Sequence, residues 1–181
     1  KTDRAHQRLT EMFAAHDLDR CYHALVWGTI AERGGRIQAP LGRSKRDRKQ
    51  QSVVPNGRFA ATNWTGLRQL PPFASLVECR LETGRTHQIR VHMAHIGHGV
   101  IGDPVYGRAL RSGQMPDNVA RTCLAAMRDF ERQALHAARL GFDHPVTGQP
   151  LSFETGIPDD MIRLVTTIED AIAARARGEG S

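Results

Sequence analysis

Cysteine is scarce in this chain. Cys21, Cys79 and Cys123 are the only three in 181 residues, widely spaced and with no C-x-x-C pair. That pattern argues against a disulfide framework and against a paired-cysteine zinc site, and it suits a reducing cytoplasm. No apolar run approaches the roughly 20 residues a bilayer crossing needs, and no charged-then-apolar leader stands at the first residues. A membrane partner is therefore not expected. Internal repeats and low-complexity tracts are also absent, which excludes solenoids and disordered tails. Gly84, Gly97, Gly99 and Gly102 crowd one region but form neither a P-loop nor a dinucleotide fingerprint, so no nucleotide cofactor is implied. His87, His92, His95 and His98 fall within twelve residues. Their spacing matches no familiar finger, no cysteine lies close in sequence, and no H-E-x-x-H occurs, so no metal is expected.

What is present is an ordinary globular balance with a basic excess. Hydrophobic residues make up 40% and charged residues 24% of the chain, enough for one domain with a sizeable core. Lys and Arg outnumber Asp and Glu by 25 to 19, giving a net charge of +6 and a pI near 9.9. Such a balance favours a phosphate-rich partner without proving one. The distribution is sharper. Arg43, Lys45, Arg46, Arg48 and Lys49 are interrupted only by Ser44 and Asp47, and Arg33 and Arg36 lie just before them. A run of this kind is either a solvated loop or a surface that tracks a nucleic-acid backbone.

Periodicity predicts an α+β domain with a largely antiparallel central sheet and flanking helices. Ala5, Leu9, Met12 and Phe13 share a helical face from Asp3 to about Ala15, expected to pack on the sheet. Cys21 to Ile30 reads as a strand ended by Gly34-Gly35. Pro55-Asn56-Gly57 suggests a hairpin between Gln51–Val54 and Arg58–Thr65. Leu76 to Leu81 leads into a motif helix, and Pro71-Pro72 marks a connection. A helix is expected from Asp117 to about Phe130 after a flexible 111–114, then strands over Gln133–Phe142 and Leu151–Glu154. Pro158 opens a last helix with Met161, Leu164, Val165 and Ile168 inward. The domain spans 1–174, with 175–181 as a tail.

The segment Thr83-Gly84-Arg85-Thr86-His87-Gln88-Ile89-Arg90-Val91-His92 is a turn feeding a helix of about Thr86 to Ile96. Arg85, His87 and Arg90 gather at its N-terminal end, where the helix dipole and free N–H groups favour an anion. Phosphate and carboxylate are the natural guests.

Together with Gly97-His98-Gly99-Val100-Ile101-Gly102-Asp103-Pro104-Val105-Tyr106-Gly107, this segment resembles the signature of the RluA-type pseudouridine synthases. Asp19-Arg20-Cys21-Tyr22-His23-Ala24-Leu25-Val26-Trp27-Gly28 is similar to that family's tyrosine-bearing strand, and Pro40-Leu41-Gly42-Arg43 to the linker after it. Phe130 to Ala137 and Asp143 to Gly148 resemble its C-terminal strands, most closely in the RluD branch, which modifies large-subunit ribosomal RNA. The likeness runs from Lys1 to about Ala174.

The resemblance implies a pseudouridine synthase catalytic domain that takes RNA, not DNA, in the cytoplasm as a monomer and without cofactor or metal. It assigns Tyr22 as the active-site tyrosine, a stacking ring or a proton relay, and Arg90 as the cation that orients the nucleophilic aspartate. Arg85 would contact phosphate or brace the turn, and His87 and Gln88 would orient loops or nucleotides. With Arg43, Lys45, Arg46, Arg48 and Lys49 these form the expected RNA surface. The family's H-R-L-D-x-x-T-S-G segment is missing from these residues and would lie upstream of Lys1, where an S4-like domain often also precedes. Asp103 matches a structural Gly-Asp turn. Alone, the 181 residues are expected to give no turnover. Two rivals remain: an RNA-binding module without catalysis, and a metal-dependent nuclease built on His87, His92 and Asp103.

Overall fold

A computed structural model describes residues 3–15, 18–107 and 118–178. The flexible segment expected at 111–114 lies outside these residues. The elements are α1 (Asp3–Ala15), β1 (Asp19–Trp27), β2 (Gly34–Gln38), β3 (Leu41–Arg43), β4 (Gln51–Val53), β5 (Ala61–Leu70) and β6 (Ala74–Leu81). They continue with α2 (Gln88–His95), α3 (Asn118–Arg128), β7 (Leu135–Asp143), β8 (Pro150–Glu154) and α4 (Asp159–Ala176). The α+β architecture is the one expected.

Strand β1 is central because its sequence can be buried on both sides. Ala24, Leu25, Val26 and Trp27 are all enclosed, and such a run can only sit between neighbours. β6 and β7 flank it, both antiparallel, in a six-stranded sheet ordered β2-β5-β6-β1-β7-β8. Its edges, β2 and β8, are mostly exposed and only five residues long each, and short edge strands offer little template for pairing with another chain. The motif segment after α2 returns to this centre. Trp27 N–H donates to Gly99 O at 2.9 Å and Ile101 N–H donates to Leu25 O at 3.0 Å. The Gly102–Gly107 turn that follows is thereby fixed to the middle of the sheet.

The core gathers Leu25, Val26 and Val77 from the sheet, Phe73 from the turn between β5 and β6, Ile89 and Met93 from α2, and Leu124, Met127, Met161, Leu164 and Ile168 from α3 and α4. These are the helical faces that the spacing predicts. α1 lies beside the β7–β8 turn, where Gln7, Glu11 and Met12 share a cleft with His144–Gly148.

The hairpin expected around Pro55-Asn56-Gly57 does not form. β4 pairs with β3 in a separate two-stranded sheet, Leu41 opposite Val53 and Arg43 opposite Gln51, while β5 pairs with β2 and β6. The turn exists, but it connects two sheets. Gly34 and Gly35 do not end a strand. They begin β2, where a Cβ on Gly34 would lie 2.9 Å from Trp64 O, so glycine permits the close approach to β5. β1 itself stops at Trp27, with Gly28 at φ 78° turning the chain. α4 runs through Ala176, into the stretch read as tail.

Gly102 is the tightest backbone position. Its φ is +71°, and an added Cβ would fall 2.0 Å from Arg132 O. Gly102→Ala is expected to cost more than about 2 kcal/mol in urea unfolding. A loss below about 0.5 kcal/mol would show that the turn relaxes freely.

Candidate active site

The turn from Thr83 to His87 is held from within. Gln88 is buried, and its side-chain oxygen accepts from Thr83 Oγ1 at 2.7 Å and from Arg85 N–H at 3.0 Å. Its amide nitrogen donates to Ala61 O at 2.9 Å and Thr62 Oγ1 at 3.0 Å. Both ends of the amide are spent, and only 2% of the residue is exposed. Gln88 thus holds the loop from within. Arg85 is half-buried and donates through Nε to Phe59 O at 3.2 Å.

His87 enters the helix with φ 57° and ψ 19°, a left-handed conformation unusual for a residue with a side chain. Its Nδ1 lies 3.1 Å from the Tyr106 hydroxyl. Burial first, then the neighbouring Arg90 charge, lowers its pKa, with Asp103 opposing.

Arg90 lies in the first turn of α2. Its Nε and Nη2 donate to the two oxygens of Asp103 at 2.7 and 2.8 Å. The Asp103 side chain is fully enclosed and that of Arg90 is 13% exposed. Asp103 also accepts from the backbone N–H groups of Val105 at 2.9 Å and Tyr106 at 3.1 Å. Burial pushes the carboxyl up, but Arg90 and the two backbone donors outweigh it and hold it below its ordinary value. The Arg90 guanidinium further stacks 4.9 Å from the centroid of the Tyr106 ring. Sequence spacing shows Asp103 only as a turn residue; its ion pair with Arg90, and the part played by Tyr106, emerge from the fold.

Tyr22 lies on β1 opposite Cys79 of β6 and Ala137 of β7. It is half-buried against the main core, and among the described residues its hydroxyl has no partner. Alternation along the strand puts Arg20 on the same face. The Arg20 guanidinium presses on the motif turn, since a Cβ on Gly84 would lie 2.4 Å from its Nη1. Its Nε and Nη2 are buried without a partner among the described residues. The Tyr22 face of β1 and the start of the Arg90 helix therefore meet through Arg20, a residue the sequence reading passed over.

The basic run forms the tip of the β3–β4 hairpin. Arg43, Lys45, Arg46, Arg48 and Lys49 are all exposed, and none has an acidic partner among the described residues. Asp47 is turned inward to the loop, accepting from Lys49 N–H at 2.9 Å and from the Gln50 amide at 3.0 Å.

The nuclease trio does not assemble. His92 is fully buried, with Nδ1 2.9 Å from Thr62 Oγ1 and Nε2 3.0 Å from Ala39 O, and Asp103 is occupied by Arg90. A different set, Cys21, His23 and Glu78, brings its donor atoms within 4.8 Å of one another on the other face of β1. Arg80 already donates to Glu78 at 2.8 Å, and burial with help from Glu78 pushes the Cys21 thiol up to about 11. A protonated thiol and an arginine-held carboxylate suit a charge network rather than a divalent cation.

Removing the Asp103 charge leaves Arg90 enclosed without its counterion, so Asp103→Asn is expected to cost about 3–5 kcal/mol at pH 7. The folded carboxyl titrates below its unfolded value of 3.8, so its stabilisation is complete above that pH and is lost as pH falls through the folded value. In urea unfolding, the gap between parent and variant should therefore close below about pH 4. A gap independent of pH would contradict the ion pair.

A family model described as RNA pseudouridylate synthase matches residues 1–95, the part that carries Tyr22 and the Arg90 helix. The chain is 43% identical over 176 residues to ribosomal large subunit pseudouridine synthase D of Xanthomonas campestris pv. campestris, covering 97% of this chain and 52% of that protein. It is 46% identical over 165 residues to the enzyme of the same name from Zymomonas mobilis subsp. mobilis, covering 89% and 48%. The RNA pseudouridine synthase YlyB of Bacillus subtilis is 43% identical over 168 residues, covering 93% and 50%. The chain thus spans about half the length of these curated relatives. Among solved structures, human RNA Pseudouridylate Synthase Domain Containing 4 superposes with a TM-score of 0.70 at 21% identity, covering 93% of this chain and 69% of that one. Human RNA Pseudouridylate Synthase Domain Containing 1 gives 0.67 at 22%, covering 93% and 72%, and both share the fold. With the tyrosine strand and the arginine helix inside the matched residues, the chain belongs to the RNA pseudouridylate synthase family.

Proposed function

We propose that the protein containing this chain isomerises uridine to pseudouridine in large-subunit ribosomal RNA, in the cytoplasm, as a monomer and on RNA rather than DNA. The relatives named ribosomal large subunit pseudouridine synthase D support the substrate class. The reaction breaks the bond from ribose C1′ to N1, turns the uracil, joins C5 to C1′, and moves the proton from C5 so that N1 gains one. Atoms and electrons balance within the nucleotide. No redox partner, metal or energy source is needed.

The target base sits within folded RNA and must be drawn out into a pocket. Tyr22 offers the ring for its face, with a hydroxyl left open beside it, and stacking of this kind contributes about 1–3 kcal/mol. An ionised carboxylate must then attack the sugar or take a proton. Arg90 is the cation suited to hold it. Asp103 grips the Nε–Nη2 edge, so the guanidinium is fixed in orientation while Nη1 remains for a second carboxylate. The exposed cations of the β3–β4 tip provide the backbone grip.

One observation carries this reading: the strand face bearing Tyr22 meets, through Arg20 and Gly84, the turn that opens the Arg90 helix. In the intact protein, Tyr22→Ala should lower uridine conversion by about 100-fold or more while RNA affinity changes by less than about threefold. Equal losses in both would remove the pocket role. Neutralising Lys45 and Arg46 together should flatten the dependence of log K on log salt by about 1 to 2. An unchanged slope would mean the hairpin tip faces water only.

A further inference from the structure

Tyr106 stands where the two halves of this site join. Its hydroxyl accepts the backbone N–H of Gln51 at 2.8 Å and lies 3.1 Å from His87 Nδ1. Gln51 is the first residue of β4, immediately after the basic tip, while His87 is the entry residue of the Arg90 helix. One oxygen therefore bridges the hairpin and the helix. A hydroxyl has one proton and two lone pairs, so both contacts can be satisfied at once. The ring of the same residue lies beneath the Arg90 guanidinium, at 4.9 Å from centroid to Cζ, and meets the His87 ring edge-on at 5.7 Å.

This junction matters because little else orients the hairpin. β3 and β4 form a sheet of their own, linked to the segment leading into β5 by the bridge Leu41–Arg58 and, just ahead of β3, by Ala39 N–H donating to Ala60 O at 3.1 Å. Their apolar anchor is a small cluster of Leu41, Ala60 and Val91, with Val53 and Tyr106 packed against it. A two-stranded ribbon is marginal in water without such support. A cavity of about 560 Å³ opens between Ser44 and Gln50 to Val53 on one side and the outer side of α2 on the other, with Tyr106 in its wall, so packing there is incomplete. A polar tie of fixed length then sets how far the basic tip stands from Arg90. His87 holds its left-handed backbone at this point, as residues do when their surroundings demand one placement of the side chain.

We propose that the Tyr106 hydroxyl is a latch that fixes the basic β3–β4 hairpin in register with the Arg90 helix, making Tyr106 a positioning residue for the RNA. The proposal rests on the reading of the chain as part of an RNA uridine isomerase, but the latch itself can be tested without RNA. Tyr106→Phe keeps the ring under Arg90 and removes only the hydroxyl. In the intact, RNA-free protein, hydrogen exchange of amides 44–51 should become roughly 3- to 10-fold faster, with Tm nearly unchanged. With transcribed large-subunit ribosomal RNA as substrate, KM should rise by roughly 3- to 10-fold while kcat stays within about twofold. Tyr106→Leu, which also strips the ring from Arg90, should lower kcat as well.

Unchanged exchange at 44–51 in the Phe variant overturns the latch. Faster exchange with an unchanged KM, or a fall in kcat alone, overturns its role in placing RNA. If the parent protein converts no uridine, the functional reading fails, and with it the role in placing RNA, while the exchange data still decide whether the hydroxyl holds the hairpin.

Discussion

The enclosed ion pair between Arg90 and Asp103 is the constraint on which the rest of the site depends. A guanidinium that is 13% exposed and a carboxylate that is not exposed at all cannot tolerate separation, because each would be left charged and poorly solvated. The pair therefore fixes the rotation of α2 against the Gly102–Gly107 turn. That turn is in turn tied to the middle of the sheet through Gly99 and Ile101. Arg90 is placed by the centre of the fold rather than by a surface loop, as the proposed contact with a reacting carboxylate would require.

From this fixed point the site divides its tasks by element. The rigid strand β1 presents Tyr22 from between β6 and β7, where a flat ring keeps one orientation. The hairpin β3–β4 carries exposed charge on a separate small sheet. Electrostatic grip needs reach more than rigidity, whereas base stacking needs the opposite. Gln88 and Arg20 are the connecting pieces. The first binds the motif turn to β5, and the second lays the Tyr22 face of β1 against Gly84.

Much of this was legible in the residues. The apolar run of β1, the Met161–Leu164–Val165–Ile168 face of α4 and the cationic turn before α2 are local patterns, and each lies where its spacing places it. What was hidden depends on distant pairing. Pro55-Asn56-Gly57 looks like a hairpin turn between sequence neighbours, yet three-residue strands carry too little pattern to show that β4 prefers β3. Gly34-Gly35 resembles a terminator because the reason for glycine there, the nearby Trp64, lies far along the chain. The polarity of Gln88 gives no sign of the four partners that enclose it. Asp103 was recognised as a turn former, which it is, but its grip on Arg90 spans 13 residues and no local rule predicts it.

The central claim is that Tyr22 and Arg90 look into one cleft that receives an extruded uridine. A crystal structure of the intact protein bound to a uridine-containing ribosomal RNA fragment tests it most directly. The account predicts the flipped uracil lying flat on the Tyr22 ring, with an aspartate carboxylate between its ribose and Arg90. A base bound elsewhere, with Tyr22 covered by protein, would contradict it.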